Sequence, residues 1–312
     1  MIVVAGEALL DVFLGAETPE GVALDARVGG SPFNVAVGLA RLAQPVTFLG
    51  AIGRGPLGER LLRALAAEGV DLRCVQRVAA PTTLGLTALD AAGVPEYSFY
   101  GAGGADRQLT ATALDALPAT TGAIHVGSYA TVVEPIATTL AALIERERSR
   151  RVISYDPNVR LNVEPDITRW RSRVAWLVER AHLVKVSEED LALLYPGGAI
   201  DDIAQQWRTA AAAVVVVTRG AHGASAWCTG GRVDVEPVPV TVVDTVGAGD
   251  TLQAALLTWL AEQDRLSIAS LRALSRDTLR AALRFATRAA AITCSRRGAD
   301  LPHRAEVPDG AG

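Results

Sequence analysis

Asp250 follows Gly247, Ala248 and Gly249 where a β-branched run, residues 238–243, gives way to a helical pattern. In residues 251–261 the bulky apolar side chains are Leu252, Leu256, Trp259 and Leu260, with Ala255 beside them, which is one helix face at roughly 3.6-residue spacing. The first N–H groups of a helix have no partner within it, and its dipole adds about half a positive charge there, so such a turn attracts an anion. A carboxylate in the same turn would repel that anion. The conflict resolves if Asp250 accepts a proton from an attacking alcohol while the N–H groups of Gly247, Ala248 and Gly249 hold the charge that develops on a phosphoryl group. The chemistry implied is phosphoryl transfer to an alcohol. The plainer reading of these residues alone is a glycine turn whose first-turn acid complements a dipole.

The census narrows the field. Lys185 is the only lysine among 312 residues. A P-loop needs a lysine after its last glycine, and a protein kinase needs one on a strand facing ATP. Lys185 follows Leu183-Val184 and no glycine, so both architectures are excluded. The 30 basic and 34 acidic residues nearly balance. The one dense basic stretch, residues 146–151, reads as a solvated helix end, and nothing calls for nucleic acid or a membrane surface. Cys74, Cys228 and Cys294 are far apart and form no CxxC, as expected of a reduced, cytoplasmic protein without structural zinc. The N-terminal residues show no signal-peptide pattern, and no 18-residue uncharged apolar segment occurs.

The elements that must position Asp250 alternate along the chain. Short apolar runs at residues 2–5, 46–51, 123–126, 152–155, 182–186 and 213–218 lack polar alternation, as buried parallel strands do. Between them, Ser31 is expected to cap a helix with Pro32 at its first position, and Leu57, Leu61 and Leu65 line another that stops at Gly69. Further helical faces carry Val133, Ile136, Leu140 and Leu143, then Leu279, Leu283, Ala286 and Ala290. The pattern predicts an α/β fold with a doubly wound, mostly parallel sheet sandwiched by helices, its ligands at the carboxyl ends of the strands. Residues 11–28 and 82–100 are strand-like without a long helix following. We read them as a small β-sheet lid inserted into one domain spanning 1–312, able to exclude water during transfer. The tail, 305–312, is expected to fray.

The run Gly29-Gly30-Ser31-Pro32-Phe33-Asn34-Val35-Ala36, then Gly50-Ala51-Ile52-Gly53, and about 200 residues later the Asp250 turn, resembles the ribokinase-like (PfkB) family of sugar kinases over nearly the whole chain. Gly6-Glu7-Ala8-Leu9-Leu10-Asp11, Glu96-Tyr97-Ser98-Phe99-Tyr100 and Asp156-Pro157-Asn158-Val159-Arg160 look most like bacterial fructokinases. The resemblance implies that Asp11, Gly29, Gly30 and Asn34 hold sugar hydroxyls, and that Asp250 is the catalytic base. Thr218, Gly220 and Gly223 resemble the family's nucleotide turn. Ser187 and Asp190 stand where many relatives have Asn and Glu shaping the metal and phosphate environment, so their contact to Mg2+ is expected through water. Asp244, Val246, Thr293 and Gly298 fall where relatives bind a monovalent cation such as K+, although Leu301 and Pro302 replace a serine ligand and its neighbour found in some. Ala43 stands where glycine is usual. A homodimer through the lid is also implied.

Arg160 leaves the sugar open, because the same Asp-Pro-Asn-x-Arg segment occurs in relatives acting on 2-keto-3-deoxygluconate and on aminoimidazole riboside. An arginine fork can grip a carboxylate or organise a neutral site; the Glu7 to Asp11 segment favours fructose. Two other classes are weighed. Gly53-Arg54-Gly55-Pro56-Leu57-Gly58 is a literal GxGxxG, which allows a dinucleotide-binding oxidoreductase. Against it, residues 74–78 end without an acid for a ribose, and Asp71 comes too early. A sugar-binding regulator would use Asp11 and Asn34 but leave Asp250 without a purpose.

Overall fold

The computed structural model describes the backbone of residues 1–89 and 95–309, and the side chains of these apart from 88–89 and 95–97. Its strands are β1 (Ile2–Ala5), β2 (Leu9–Thr18), β3 (Gly21–Gly29), β4 (Val46–Gly53), β5 (Val75–Val78), β6 (Leu84–Leu89), β7 (Pro95–Tyr100), β8 (Ala123–Gly127), β9 (Val152–Asp156), β10 (Leu183–Ser187), β11 (Val214–Thr218), β12 (Ala224–Cys228) and β13 (Gly231–Val235). Its α-helices are α1 (Ser31–Arg41), α2 (Pro56–Ala67), α3 (Ile136–Glu147), α4 (Ile167–Val178), α5 (Glu188–Leu194), α6 (Ile200–Ala210), α7 (Ala248–Glu262), α8 (Ile268–Arg272) and α9 (Arg276–Cys294).

Nine strands form one sheet in the order β13-β12-β11-β10-β9-β8-β1-β4-β5. Only β12 and β13 run antiparallel to their neighbours. Every apolar run expected to be a buried strand is in this sheet. Each face is covered, because residues alternating along a strand point to opposite sides and both sides are apolar. Val4 and Val216 pack with Phe33, Leu61, Leu256 and Leu283 on one side. Val3 and Val217 pack with Leu140, Trp170, Leu191 and Trp207 on the other. β1 lies between β4 and β8, so the strand order reverses there and a crevice opens beyond its carboxyl end.

Four strands form the small sheet, in the order β3-β2-β6-β7. Its inner residues Leu9, Leu10 and Val12 are buried, whereas Leu14, Val22 and Leu24 are exposed. Positions 90–94 of the expected lid segment lie outside the described residues, as do 310–312 of the tail. Residues 304–306 form a helical turn rather than fraying.

Three local expectations are corrected. Ser31 does not cap α1, since Gly30 is the N-cap and no side chain bonds there. Val133 precedes α3 rather than joining its face. The basic stretch after α3 is not simply solvated, because Glu147 is buried and paired with Arg146, Arg150 and Arg151. The GxGxxG motif is a packing device. A Cβ on Gly58 would stand 1.9 Å from the Gly53 carbonyl oxygen, so the glycines let α2 close on β4.

Candidate active site

Gly247 is left-handed (φ 78°) and is the N-cap from which α7 begins. That conformation, costly for any other residue, aims the first turn of α7 at the crevice. A Cβ on Gly247 would also lie 2.7 Å from the Ala299 Cβ. The Ala248 N–H donates to the Thr245 carbonyl at 3.2 Å, closing the turn. Gly249 and Asp250, as first-turn residues, have N–H groups without a carbonyl four residues back in the helix.

Asp250 is 9% exposed. Its Oδ1 accepts from the Ser31 hydroxyl at 2.6 Å and its Oδ2 from the Asn34 Nδ2 at 2.8 Å, so α1 and α7 fix the carboxylate from both sides. Burial pushes this carboxyl above the ordinary range, and the Ser31 and Asn34 bonds and the Lys185 charge pull it back. A desolvated carboxylate with a raised proton affinity is a better base at neutral pH.

A cleft of about 550 Å³ lies in front of it, large enough for a monosaccharide. Asp250, Gly247 and Gly249 line one end, with Asp11, Gly30, Asn34 and Arg160 beside them and Phe13 and Phe99 from the small sheet above. Asp11 is held between two glycines. A Cβ on Gly29 would lie 2.2 Å from its Oδ2 and one on Gly85 3.2 Å from its Oδ1. Burial raises the Asp11 carboxyl to about 6, with Arg160 opposing and Asp250 reinforcing the shift. Asn158 at φ 41° kinks the chain after β9, and Arg160 donates to the Val159 carbonyl at 2.9 Å.

The expected nucleotide residues lie outside this cleft, at the carboxyl ends of neighbouring strands. Ser187 ends β10 and pairs in register with Thr218, which ends β11. Gly220 (φ 50°) and Gly223 (φ 78°) shape the turn that follows. A Cβ on Gly223 would lie 2.1 Å from the Val235 carbonyl oxygen. The Ser187 hydroxyl caps α5, accepting from the Asp190 N–H at 3.0 Å, and Asp190 Oδ1 accepts from the Val159 N–H at 3.0 Å. Among the described residues, no three His, Cys, Asp or Glu side chains gather to hold a metal.

Of the expected monovalent-cation residues, Asp244, Val246 and Gly298 are joined by hydrogen bonds, and Thr293 bonds elsewhere. Asp244 accepts from the Val246 N–H at 3.0 Å and from the Gly298 N–H at 2.8 Å. Thr293 shares a 2.8 Å hydroxyl bond with Thr251. Burial pushes the Asp244 carboxyl up, but the Val246 and Gly298 bonds outweigh it and hold the group below its usual range. An ionised carboxylate is an oxygen donor that suits a large monovalent cation.

Several residues escaped the sequence reading. Ser31 has the sequence context of a helix cap but its hydroxyl donates to Asp250. Glu7 is fully buried on the cleft floor, its Oε2 without a partner; its place just beyond a strand end was the available signal. Lys185 opens the Lys185–Asp190 segment that resembles the family's metal and phosphate environment, without a role of its own, yet its Nζ lies 2.8 Å from Asp156 Oδ2.

Comparison with known proteins agrees with this geometry. The family model described as pfkB family carbohydrate kinase matches residues 1–305. A fructokinase from Rhizobium leguminosarum bv. trifolii is 35% identical over 280 residues, covering 90% of this chain and 86% of the relative. A crystal structure of fructokinase with bound ATP from Xylella fastidiosa superposes with a TM-score of 0.87 at 27% identity, covering 98% of this chain and 96% of the other. A double mutant of a Vibrio cholerae O395 fructokinase, in fructose, ADP and potassium ion bound form, gives a TM-score of 0.82 at 26% identity over 98% and 96% of the chains. A mostly parallel sheet with a small second sheet is thus shared with solved sugar kinases, and the chain belongs to the pfkB family of carbohydrate kinases.

Proposed function

We propose that this chain transfers the γ-phosphoryl group of ATP to the terminal hydroxyl of fructose, giving fructose 6-phosphate. The observation that carries the reading is the Asp250 carboxylate at the mouth of α7, facing a cleft that also holds Asp11, Asn34 and Arg160. The sugar hydroxyl loses its proton to Asp250 as its oxygen attacks phosphorus in line, and ADP departs. The N–H groups of Gly247 and Gly249 face the charge on the transferring group, with the Ala248 turn behind them. Positioning and charge stabilisation supply most of the acceleration.

Charge in the cleft discriminates among the sugars. Asp11 and Asp250 line the cleft with the Arg160 guanidinium, and burial favours the neutral form of Glu7 beside them, so a substrate carboxylate would meet two acids for one base. Hydroxyls, which donate to carboxylates, fit better. This favours fructose over 2-keto-3-deoxygluconate, and the fructokinase relatives support the same choice. Aminoimidazole riboside is the neutral alternative.

Thr218, Gly220, Gly223 and Ser187 lie where ATP would approach along the strand ends. Mg2+ would be carried by the triphosphate and offset its charge; among the described residues no three His, Cys, Asp or Glu side chains gather to hold one. Asp244 with the Val246, Thr293 and Gly298 carbonyls would hold K+, tying the loop before α7 to the one after α9. The small sheet acts as a lid, and its exposed Leu14, Val22 and Leu24 form a homodimer face. No helix among the described residues is long and apolar enough to cross a membrane. Three free cysteines fit a reducing cytoplasm.

The test is ATP consumption with fructose, ribose, 2-keto-3-deoxygluconate and aminoimidazole riboside in parallel, using wild type and Asp250→Asn. Turnover confined to fructose and lost by a factor of roughly a thousand or more in Asp250→Asn is expected. Turnover of the keto-acid sugar alone would overturn the substrate, and an active Asp250→Asn would overturn the base.

A further inference from the structure

Lys185 is the only lysine in the chain, and β10 carries it inward, where its side chain is 5% exposed. Its Nζ donates to Asp156 Oδ2 at 2.8 Å, and Asp156 is itself 1% exposed. The pair lies directly under the catalytic helix. A Cβ on Gly249 would come within 2.9 Å of Nζ, so the missing side chain is what admits the ammonium.

As a purely stabilising device the arrangement is poor. Removing two charges from water costs several kcal/mol per ion unless the remaining donors and acceptors are filled. Here Asp156 Oδ1 is buried without a partner. A cation placed against a helix N-terminus also meets the positive end of its dipole. Two positive features at one point are favourable together only where negative charge resides or arrives, as the Asp250 carboxylate does at rest and the phosphoryl group during transfer.

We propose that Lys185 is a positioning residue for phosphoryl transfer: its ammonium, gripped by Asp156 and packed under Gly249, supplies the counter-charge of the Asp250 carboxylate and braces the glycine turn. The inference rests on Asp250 being the base. Burial alone would push the Lys185 ammonium towards neutrality, but the charge and hydrogen bond of Asp156, with further help from Asp250 and Asp190, hold it above its ordinary range and therefore charged. The groups facing this pair of charges are known on each side. Ser31 and Asn34 on α1 bond to Asp250, Asp11 on β2 and Asp156 on β9 act on it as like charges, and Asp190 on α5 and His125 on β8 face Lys185. Burial and the Lys185 charge push His125 down to about 3, so it remains neutral and does not compete for the role.

The experiment compares kcat and both KM values for wild type, Lys185→Met, Lys185→Arg, Asp156→Asn and Asp250→Asn from about pH 5.5 to 9. Lys185→Met is expected to lower kcat at neutral pH by roughly tenfold or more and to move the acid limb of kcat up by about one pH unit, with both KM values within about threefold of wild type. Asp156→Asn, which removes a like charge facing Asp250, should move the limb the other way, and Lys185→Arg should restore its position. A limb that stays in place in Lys185→Met overturns the proposal. Because that variant can fail to fold, a second reading uses intact protein. With lysine labelled by 15N at Nζ there is a single side-chain signal, which should follow the acid limb in wild type and cease to titrate there in Asp250→Asn. A signal indifferent to Asp250→Asn overturns the proposal. An active Asp250→Asn overturns the functional reading as well, whereas an inert Asp250→Asn with a wild-type Lys185→Met overturns this inference alone.

Discussion

The Ser31 hydroxyl donates to Asp250 Oδ1 at 2.6 Å across 219 residues of sequence. The bond joins the first turn of α1, which follows Gly29 and Gly30, to the first turn of α7, which carries the proposed base. It favours the ionised form of Asp250, as the Asn34 bond does from the other side. A hydrogen bond to a charged group contributes about 1.5–3 kcal/mol, some of which the sugar hydroxyl recovers on binding. Ser31→Ala should therefore reduce kcat by roughly fivefold to tenfold and shift its acid limb to higher pH, while the KM for ATP stays unchanged. Steady-state kinetics across pH test this, and a limb that does not move would show the bond to be only structural.

Gly29→Ala should damage sugar binding and spare the fold. The new Cβ would stand 2.2 Å from Asp11 Oδ2, and Gly29 has no positive φ that alanine would strain. The backbone can stay while the Asp11 carboxylate swings out of the cleft. Losing one charge-assisted hydrogen bond to a hydroxyl predicts a KM for fructose raised roughly tenfold to a hundredfold, with the KM for ATP and Tm near wild type. A drop in Tm with an unchanged fructose KM would mean that the clash is relieved elsewhere.

The legible parts of this protein were those written in a local pattern. Runs such as Val214 to Thr218 can only be buried on both faces, so the central sheet followed from composition along the chain. The Asp250 turn declared itself because a carboxylate beside an anion site needs an explanation. What stayed hidden depended on contacts across the fold. Ser31 has the sequence context of a helix cap, and only the approach of α7 gives its hydroxyl a better acceptor. Glu147 reads as part of a solvated helix end until three arginines close over it. The Lys185–Asp156 pair spans adjacent strands 29 residues apart, and nothing in either segment marks the other.

Ala43 illustrates a departure with a measurable consequence. It follows α1 at φ 62°. Its N–H donates to the Ala40 carbonyl at 2.9 Å, and the Gln44 N–H to the Leu39 carbonyl at 2.9 Å, the paired bonds of a Schellman cap. The left-handed position costs a residue with a Cβ about 1–2 kcal/mol. Glycine removes that strain but adds about 0.5–1 kcal/mol of backbone entropy to the unfolded chain. Ala43→Gly should thus stabilise the protein by up to about 1 kcal/mol without touching kinetics, read as a small rise in the denaturant midpoint. A destabilised variant would show that the Ala43 methyl contributes packing worth more than the strain.

Glu7 should give the stability of this protein a pH dependence of unusual sign for an acid. Burial raises its carboxyl to about 8, with the Ser128 bond and Arg160 opposing and Asp106 adding to the shift. The folded chain therefore keeps this proton over a range in which the unfolded chain, at the ordinary value of 4.5, has released it. Protons bound more tightly in the native state stabilise it at low pH, so this contribution is complete below about 4.5 and is lost progressively until about 8. Glu7→Gln keeps the shape of the neutral acid and removes the titration. Its Tm should lie close to wild type near pH 5 and above it near pH 8, about where the wild-type carboxyl has had to ionise or remain protonated at a cost. Thermal melts of the two proteins across that interval decide the matter, and parallel curves would mean that Glu7 is already ionised at neutral pH and that a partner from the cleft, rather than a proton, satisfies its free oxygen.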